Sequence, residues 1–318
     1  SSLNLNEMET VGSTDRVNVV VQVTHRNATK TLRYLMKKDG DTKKVTSPVL
    51  ETMPRQDMGS HRTLTAFIEW GMEKYPAKHY MVDIWNHGSG WEKKQAAGVV
   101  RGISYDDSTG NHITTPQLGE VLRAASAKRG SRIDLIGYDA CLMQMAEVAA
   151  EVADGARWQI GSEEVEPGKG WPYAEWLTWV AAHPDADGAG VGKALVETFK
   201  ASYSGGSHGT DTTTLSLVDL DRVDELSKAA DTFVDAVLAE KDHRKQLVEG
   251  IQASQAFDDP THHDVCDLVD QVVKRVPAAA VKQSGAALKA AAQAMVLATG
   301  RTGSAVARAT GLAIWAPT

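Results

Sequence analysis

Short apolar runs rich in β-branched residues alternate with longer amphipathic stretches along this chain. Runs of the first kind are typical of buried strands, and apolar residues at helical spacing are typical of helices that pack on a core. The pattern predicts strands over residues 17–23, 31–36, 79–85, 132–138, 157–161, 213–217 and 311–315. It predicts helices over residues 62–75, 114–129, 191–203, 221–240 and 265–276, an Ala-rich helix-favouring stretch over 274–298 and a turn over 300–303.

The alternation of strands with helices indicates an α/β fold. Connections of this kind place neighbouring strands in parallel and cover both faces of the sheet with helices. We therefore expect a mainly parallel sheet, in which ligands bind beyond the carboxyl ends of the strands. No stretch of residues 1–318 has the composition of a linker, so the sequence predicts a single domain.

The composition excludes several classes of protein. The chain has 318 residues, of which 42% are hydrophobic and 24% charged, as in ordinary globular proteins. A net charge of -7 and the lack of Lys/Arg runs argue against a nucleic-acid-binding protein. No stretch approaches the roughly 18 consecutive apolar residues of a membrane span. The two cysteines, Cys141 and Cys266, cannot make a disulfide framework, so we expect free thiols.

Reactive side chains follow two of the predicted strands directly. His87 and Gly88 come after the strand over 79–85, and Asp139 and Cys141 come after the strand that follows the next helix. The carboxyl ends of parallel strands meet at the same edge of a sheet. We therefore expect His87 and Cys141 to lie close together, although they are far apart in sequence.

Cys141 and His87 are suited to thiol-dependent hydrolysis. The attacking species is a thiolate, and an imidazole that titrates near neutral pH can take and return its proton. The stretch after Cys141 has helical spacing, which would place the thiol near a helix N-terminus that favours the thiolate. The N–H groups of Gly88 and Cys141 could form an oxyanion hole. A core cysteine and a structural histidine are the alternative interpretation, since each residue alone commonly has that role.

The residues at these two strand ends resemble the clostripain family, which belongs to the wider group of caspases, legumains and gingipains. The similarity rests on His87-Gly88 and on Asp139-Ala140-Cys141, each after an apolar strand. It extends over most of the chain through Asn6-Glu7-Met8, Val11-Gly12-Ser13, Val17-Asn18-Val19-Val20-Val21-Gln22, Ser162-Glu163-Glu164, Gly170-Trp171-Pro172-Tyr173 and Gly311-Leu312-Ala313-Ile314-Trp315. Asp83 departs from the family pattern, in which this strand is normally apolar throughout.

This resemblance implies a caspase-like three-layer α/β/α sandwich and a cysteine endopeptidase with a Cys141–His87 dyad. It implies cleavage of peptide or protein substrates after Arg or Lys. The residues that match the acidic substrate pocket are Asp139, Ser162 and Glu164, because a carboxylate in a partly desolvated pocket pairs well with a cationic side chain. The resemblance also suggests a secreted or cell-envelope protein, and it leaves the oligomeric state and the natural substrate open.

Residues 92–104 are predicted to form a loop beside the active site, with basic side chains and no clear amphipathic period. Relatives are cut internally by their own activity between the His and Cys segments. The sequence therefore supports the hypothesis of a zymogen activated by self-cleavage, with Arg101-Gly102 as the best candidate bond, since loop tips with small residues tolerate nicking. An ordinary solvated loop is the alternative.

Two other interpretations use the same sequence differently. An inactive caspase-like scaffold that serves in binding should lack one of the two reactive residues, and both are present. A zinc-dependent hydrolase would use a cluster of neighbouring metal-binding side chains, His262, His263, Asp264, Cys266 and Asp267. Adjacent residues at a helix start are more typical of capping, so no metal site is predicted there.

The oxygen-rich turn over 106–111 leaves calcium open as a cofactor but does not match an EF-hand loop.

Overall fold

Strands and helices alternate in the computed structural model, which describes residues 2–91 and 101–318. The strands are β1 (Val20–Val23), β2 (Lys30–Leu35), β3 (Val49–Pro54), β4 (Met81–Trp85), β5 (Gly102–Asp106), β6 (Asn111–Thr114), β7 (Ile133–Asp139), β8 (Ala156–Gly161), β9 (Ser204–Gly206), β10 (Gly209–Thr210), β11 (Thr213–Asp219), β12 (His262–Asp264), β13 (Val296–Thr302) and β14 (Ala313–Trp315). The helices are α1 (Ser2–Val11), α2 (His61–Lys74), α3 (Thr115–Arg129), α4 (Ala146–Val152), α5 (Tyr173–Ala182), α6 (Gly188–Tyr203), α7 (Val223–Ala239), α8 (Arg244–Ala253), α9 (Val265–Arg275) and α10 (Ala279–Met295).

The central sheet has the strand order β13-β11-β8-β7-β4. The strands β4, β7 and β8 pair in parallel, and β11 pairs antiparallel with both β8 and β13. Four of the five strands therefore run in one direction. The prediction of a mainly parallel sheet is confirmed, with one antiparallel member.

Helices pack on both faces of this sheet. On one face, α3, α4, α7, α9 and α10 enclose a hydrophobic cluster that includes Ile136 and Tyr138 of β7. On the other face, α5 and α6 enclose a second cluster that includes Leu135 of β7 and Leu217 of β11. Successive residues of a strand point to opposite faces, which is why Leu135 and Ile136 belong to different clusters. The three-layer α/β/α arrangement is confirmed.

A second, antiparallel sheet of β1, β2 and β3 lies beside the central one. The strand β1 forms the edge of this sheet, and β4 forms the edge of the central sheet. Residues of both strands line a cavity of about 1010 Å³, which also reaches His87 and Cys141. The cavity therefore connects the space between the sheets with the carboxyl end of β4.

Several sequence predictions were wrong about local structure. The Ala-rich helix ends at Met295, and the chain continues as β13 through the region predicted as a turn. Pairing of β13 with β11 overrides the local preference, as tertiary contacts often do. The helix after Cys141 begins only at Ala146. Residues 102–104 of the predicted processing loop belong to β5, while 92–100 lie outside the described residues.

The strand β3, the hairpin of β5 and β6, and the helices α5 and α8 were not predicted. Within residues 2–91 and 101–318, no helix is both long enough and apolar enough to cross a membrane.

Candidate active site

The ends of β4 and β7 meet at one edge of the central sheet. The two strands pair in parallel with Trp85 opposite Asp139. The N–H of Asn86 then donates a hydrogen bond to the Asp139 carbonyl oxygen at 3.3 Å. The structure thereby brings together the strand ends that carry His87 and Cys141.

His87 is exposed and is held through its backbone. Its N–H donates to Asn86 Oδ1 at 2.6 Å, and its carbonyl oxygen accepts from the Ser104 N–H at 3.2 Å. Asn86 Oδ1 also accepts from the Tyr105 N–H at 3.0 Å, which ties the loop to β5. Among the described residues, no hydrogen bond joins the His87 ring to the Cys141 thiol. Such contacts are often long in the absence of substrate.

Cys141 sits at the start of a tight turn after β7. The next residue, Leu142, has a φ of 61°, a left-handed conformation that is uncommon for a residue with a side chain. The neighbouring loop maintains this strained turn, because Leu142 N–H donates to the Glu164 carbonyl oxygen at 3.2 Å and Gln144 N–H to that of Ser162 at 3.0 Å. The turn presents a partly exposed thiol to the cavity.

The local environment favours the protonated form of the Cys141 thiol. Burial raises its pKa, and the charges of Asp258 and Glu164 raise it further. The Glu166 N–H, which donates to Sγ at 3.4 Å, opposes this shift. Since α4 begins at Ala146, it does not lie directly behind the thiol as the sequence predicted. The dipole of α4 therefore does not offset the effect of burial on the thiol.

Gly88 lies against the backbone of the cysteine turn. A Cβ atom at this position would be 2.4 Å from the Cys141 carbonyl oxygen, so a larger residue would displace one strand end from the other. Gly88 forms a bridge with Ile103, and this bridge uses the N–H groups of Ser89 and Ser104. Neither the Gly88 N–H nor the Cys141 N–H has a backbone acceptor among the described residues.

The two cysteines should differ in reactivity. Cys141 is partly exposed, whereas Cys266 is 3% exposed and burial raises its pKa to about 11. We expect iodoacetamide to label Cys141 at least about tenfold faster in the native protein, because both access and thiolate fraction control the rate. Peptide mapping after timed labelling measures this ratio. The denatured protein serves as the control and should label both residues at similar rates.

An acidic pair lies at the cavity end next to Cys141. Asp139 is 4% exposed and Glu166 is 8% exposed, and both line the cavity. Asp139 Oδ2 accepts from the Trp171 N–H at 3.2 Å, and Glu166 Oε1 accepts from Trp171 Nε1–H at 3.3 Å. Burial and the charge of Asp139 raise the pKa of Glu166 well above its usual range. Without a cation, burial and mutual repulsion therefore disfavour ionisation of both carboxyl groups.

The loop after β8 places the other two pocket candidates, Ser162 and Glu164, outside the lining of the cavity. Ser162 is fully buried, and its hydroxyl donates to the Glu164 carbonyl oxygen at 2.8 Å and contacts Thr214 Oγ1 at 2.9 Å. Glu164 is partly buried, and its Oε1 accepts from the Asp258 N–H at 3.1 Å. Neither Ser162 nor Glu164 is among the residues that line the cavity. The structure therefore uses both to shape the loop that supports Cys141.

Glu166 is the functional candidate that the sequence analysis missed. It follows two other glutamates in a loop, and a glutamate in such a loop is usually solvated. The nearby Gly170-Trp171-Pro172-Tyr173 segment was the available signal, because Trp171 and Tyr173 both bind the acidic pair. Gly170 is required here, since its φ is 70° and a Cβ would lie 2.6 Å from Asp139 Oδ2.

The His262 cluster is dispersed by the fold. His262 and His263 lie in β12, where successive side chains point to opposite sides. His263 Nδ1 contacts Ser254 Oγ at 2.8 Å, and Asp264 caps α9 by accepting from the Asp267 N–H at 2.8 Å. Burial lowers the pKa of His262 to about 4. In the part of the chain that the structure describes, no group of three or more His, Cys, Asp or Glu residues could hold a metal ion.

The carboxylate in the turn over 106–111 is already bound by other groups of the protein. Asp106 is 5% exposed, and its carboxylate accepts from Arg55 at 2.8 Å and from the N–H groups of Met58 and Ser108. A carboxylate already neutralised by a guanidinium does not suit a calcium ion, which needs several free oxygen ligands. These residues do not fit a bound calcium ion.

The candidate processing bond lies at the start of β5. Arg101 forms an ion pair with Asp259, which is buried. Gly102 donates its N–H to Ser89 Oγ at 3.2 Å, and a Cβ on it would lie 2.0 Å from the Ile113 carbonyl oxygen. Both sides of this bond are therefore anchored, on the same loop system that holds His87.

Comparison with known proteins agrees with this geometry. The sequence profile of the clostripain family matches residues 1–305. Clostripain of Hathewaya histolytica is 26% identical over 235 residues, which cover 65% of this chain and 44% of that protein, so the chain spans less than half of this relative's length.

Two crystal structures share the fold. A secreted C11 cysteine protease of Bacteroides thetaiotaomicron, in complex with an irreversible peptide inhibitor, aligns with a TM-score of 0.73 at 19% identity, over 99% of this chain and 87% of that one. An inactive zymogen C11 protease of Parabacteroides distasonis aligns with a TM-score of 0.71 at 21% identity, over 99% and 86%. The sequence match over nearly the whole chain shows that this protein belongs to the clostripain family of cysteine peptidases.

Proposed function

We propose that this chain is a cysteine endopeptidase that hydrolyses peptide bonds after Arg or Lys, with Cys141 as nucleophile and His87 as its acid–base partner. The observation that carries the proposal is the pairing of β4 with β7, which joins the two reactive strand ends beside a cavity lined by acidic side chains. Family membership supports the same reaction.

The site contains the groups that each step requires. His87 takes the Cys141 proton, and the thiolate attacks the scissile carbonyl carbon while the carbonyl π electrons move to oxygen. The N–H groups of Gly88 and Cys141 stabilise that oxyanion. His87 then returns the proton to the leaving amine as the C–N bond breaks. Water, deprotonated by His87, attacks the thioester and releases the acid product and the thiol.

The acidic pair accounts for the choice of substrate. A Lys or Arg side chain that enters the cavity beside Cys141 would meet Asp139 and Glu166 in a partly desolvated setting, where ion pairs are stronger than in water. Glu166 Oε2 is buried and has no partner among the described residues, so it can accept from such a cation. Digestion of an unfolded protein mixture tests this specificity. Mass spectrometry should find Arg or Lys before the new ends, and random ends would contradict it.

The alternative is an inactive scaffold with the same fold. It is disfavoured because both reactive residues are present, at strand ends that the pairing of β4 with β7 joins. A scaffold would bind peptides without cleaving them, which the same digestion experiment would reveal.

Self-cleavage at Arg101-Gly102 is a second part of the proposal. The inactive zymogen of Parabacteroides distasonis shows that an inactive form exists in a protein of this fold. After cleavage, Gly102 would remain in β5 through its bond to Ser89, so the His87 loop would keep its support. We expect a fragment that begins at Gly102 when the protein is incubated, and none in Cys141→Ala or Arg101→Ala. N-terminal sequencing measures this, and a fully active chain that stays intact would contradict it.

The relatives support a proposal for the cellular location. One structural relative is described as secreted, and we propose secretion for this protein as well.

Since Asp106 is already paired with Arg55, we do not assign calcium a role in the reaction.

A further inference from the structure

Asp83 is a charged residue in the middle of the apolar strand β4. Its side chain lies on the side of the sheet that faces α5. Asp83 Oδ2 is 2.7 Å from the Tyr173 hydroxyl oxygen, and Asp83 Oδ1 accepts from the Asp139 N–H at 3.4 Å. The carboxyl group is therefore engaged directly with the end of the neighbouring strand that carries Cys141.

The Tyr173 hydroxyl lies between two carboxyl groups. It is 2.7 Å from Asp83 Oδ2 and 2.8 Å from Asp139 Oδ2, and both distances are typical of full O–H···O hydrogen bonds. A phenol has a single hydroxyl proton, so it can donate to only one of the two. The second hydrogen bond requires that a carboxyl group donates to the tyrosine oxygen. One of the two aspartates must therefore carry a proton.

The surrounding donors indicate which aspartate is protonated. Asp139 Oδ2 also accepts from the Trp171 N–H at 3.2 Å, so donors on two sides favour its ionised form. The backbone N–H groups of Asp139 and Ile84 also lower the pKa of Asp83, but burial outweighs them. Burial, followed by the negative charge of Asp139, raises the pKa of Asp83 to about 7. The proton belongs on Asp83, and the chain of donors runs from Asp83 to Tyr173 to Asp139.

We propose that protonated Asp83 is a positioning residue for the basic-substrate pocket: it donates to Tyr173, whose hydroxyl then donates to Asp139 and holds that carboxylate ionised and aimed at the cavity. This role rests on the proposed preference for Arg or Lys. It explains why a carboxyl group is retained within an apolar strand, where an unpaired one would be costly.

Two substitutions of Asp83 by residues of similar size distinguish a role in positioning Tyr173 and Asp139 from a role in packing. Asp83→Asn keeps an N–H donor toward Tyr173 and an acceptor for the Asp139 N–H, whereas Asp83→Leu removes both. We expect Asp83→Leu to raise KM for Arg peptides about tenfold, as for loss of one buried hydrogen bond, with kcat little changed. Asp83→Asn should restore KM to within about threefold of the unmodified enzyme. An Asn variant as impaired as the Leu variant, or a Leu variant with normal KM, would overturn the proposal.

Coupling to Tyr173 provides a second test. If Asp83 acts through the tyrosine hydroxyl, Asp83→Leu should have little further effect on KM in a Tyr173→Phe background, because the relay is already broken. Additive effects of the two substitutions would instead assign Asp83 an independent packing role and overturn the proposal.

Infrared spectroscopy detects the proton without any substrate. A protonated carboxyl group has its own carbonyl-stretch band. Asp83→Asn should remove one such band below neutral pH, while the band of Glu166, whose pKa burial also raises, should remain. The matched control is Asp221→Asn, which should remove none, since Asp221 is ion-paired with Arg132 and Arg157 at 2.6 Å each and is ionised. No band lost in Asp83→Asn, in an enzyme that does prefer Arg or Lys, would overturn this inference alone. Equal cleavage after neutral and basic residues would overturn the proposed function and the recognition role, while the band would still locate the proton.

Discussion

Replacement of Cys141 by alanine should abolish peptide cleavage. The substitution removes the sulfur that would attack the substrate, and the hydrogen bond lost with it, from the Glu166 N–H to Sγ at 3.4 Å, is a weak one. In hydrolases whose nucleophile acts together with a histidine, loss of the nucleophile costs about 10⁴-fold or more in kcat. The measurement is kcat/KM on a fluorogenic peptide with Arg before the cut, with circular dichroism to confirm folding.

Cys266→Ala is the matched control for this variant. Cys266 belongs to α9, packs in the hydrophobic core and is not among the residues that line the cavity. Its truncation should lower the thermal midpoint slightly, as removal of a small buried group does, and leave kcat near normal. Full activity in Cys141→Ala would rule out the proposed nucleophile. Loss of activity in the folded Cys266→Ala variant alone would place the reactive thiol elsewhere.

Asp139→Asn should lower kcat/KM for Arg and Lys peptides by tens-fold or more. Removing one partner of a desolvated charge pair costs about 2–5 kcal/mol, and the remaining Glu166 keeps the effect toward the lower end. Asparagine has the same shape and can still accept from Trp171 and Tyr173, so the pocket should stay intact. A peptide with a neutral residue before the cut should be cleaved by both enzymes at similar, low rates.

Glu164→Gln distinguishes a local pocket from a general effect of acidic charge. Glu164 is near Cys141 but does not line the cavity, and its amide form can still accept from the Asp258 N–H. We expect a change of less than about threefold for basic peptides, as for removal of a partly exposed charge. Equal losses on neutral and basic peptides in Asp139→Asn would indicate structural damage rather than lost recognition.

The strand ends could be predicted from the sequence because parallel buried strands have a simple signature. Such strands read as largely apolar runs. The strands β4 and β7 have this form with one aspartate inside each, Asp83 and Asp134, whereas β8 also contains Arg157 and Gln159. Reactive residues placed directly after them must then lie on one edge of the sheet. The two-layer covering of the sheet followed from the alternation with helices, which the clusters around Leu135 and Ile136 bear out.

The acidic pocket could not be predicted in the same way. The loop after β8 contains Glu163, Glu164 and Glu166 within a few residues, and only the folded loop shows which of them reaches the cavity. Glu163 is buried toward Gly311, whose N–H donates to its Oε2 at 3.0 Å, and Glu164 faces Asp258. Three neighbouring glutamates thus have three different environments, set by contacts with residues far away in sequence.

Local sequence preference also gave wrong predictions for β13 and for the residues directly after Cys141. Alanine-rich sequence favours helix, but Val296–Thr302 gains a full ladder of hydrogen bonds by pairing with β11. After Cys141, the chain first pairs Met145 with Ala313 and only then enters α4. Both partner segments were predicted as strands, but nearby residues do not show which parts of the chain pair with them.

The most direct test of the account is the cleavage rate on a series of fluorogenic peptides that differ only in the residue before the scissile bond. The account predicts that the unmodified protein cleaves the Arg and Lys peptides at least tens-fold faster, in kcat/KM, than peptides with Ala, Leu or Glu, and that Cys141→Ala cleaves none of them. Equal rates across the series, or cleavage that persists in Cys141→Ala, would contradict it.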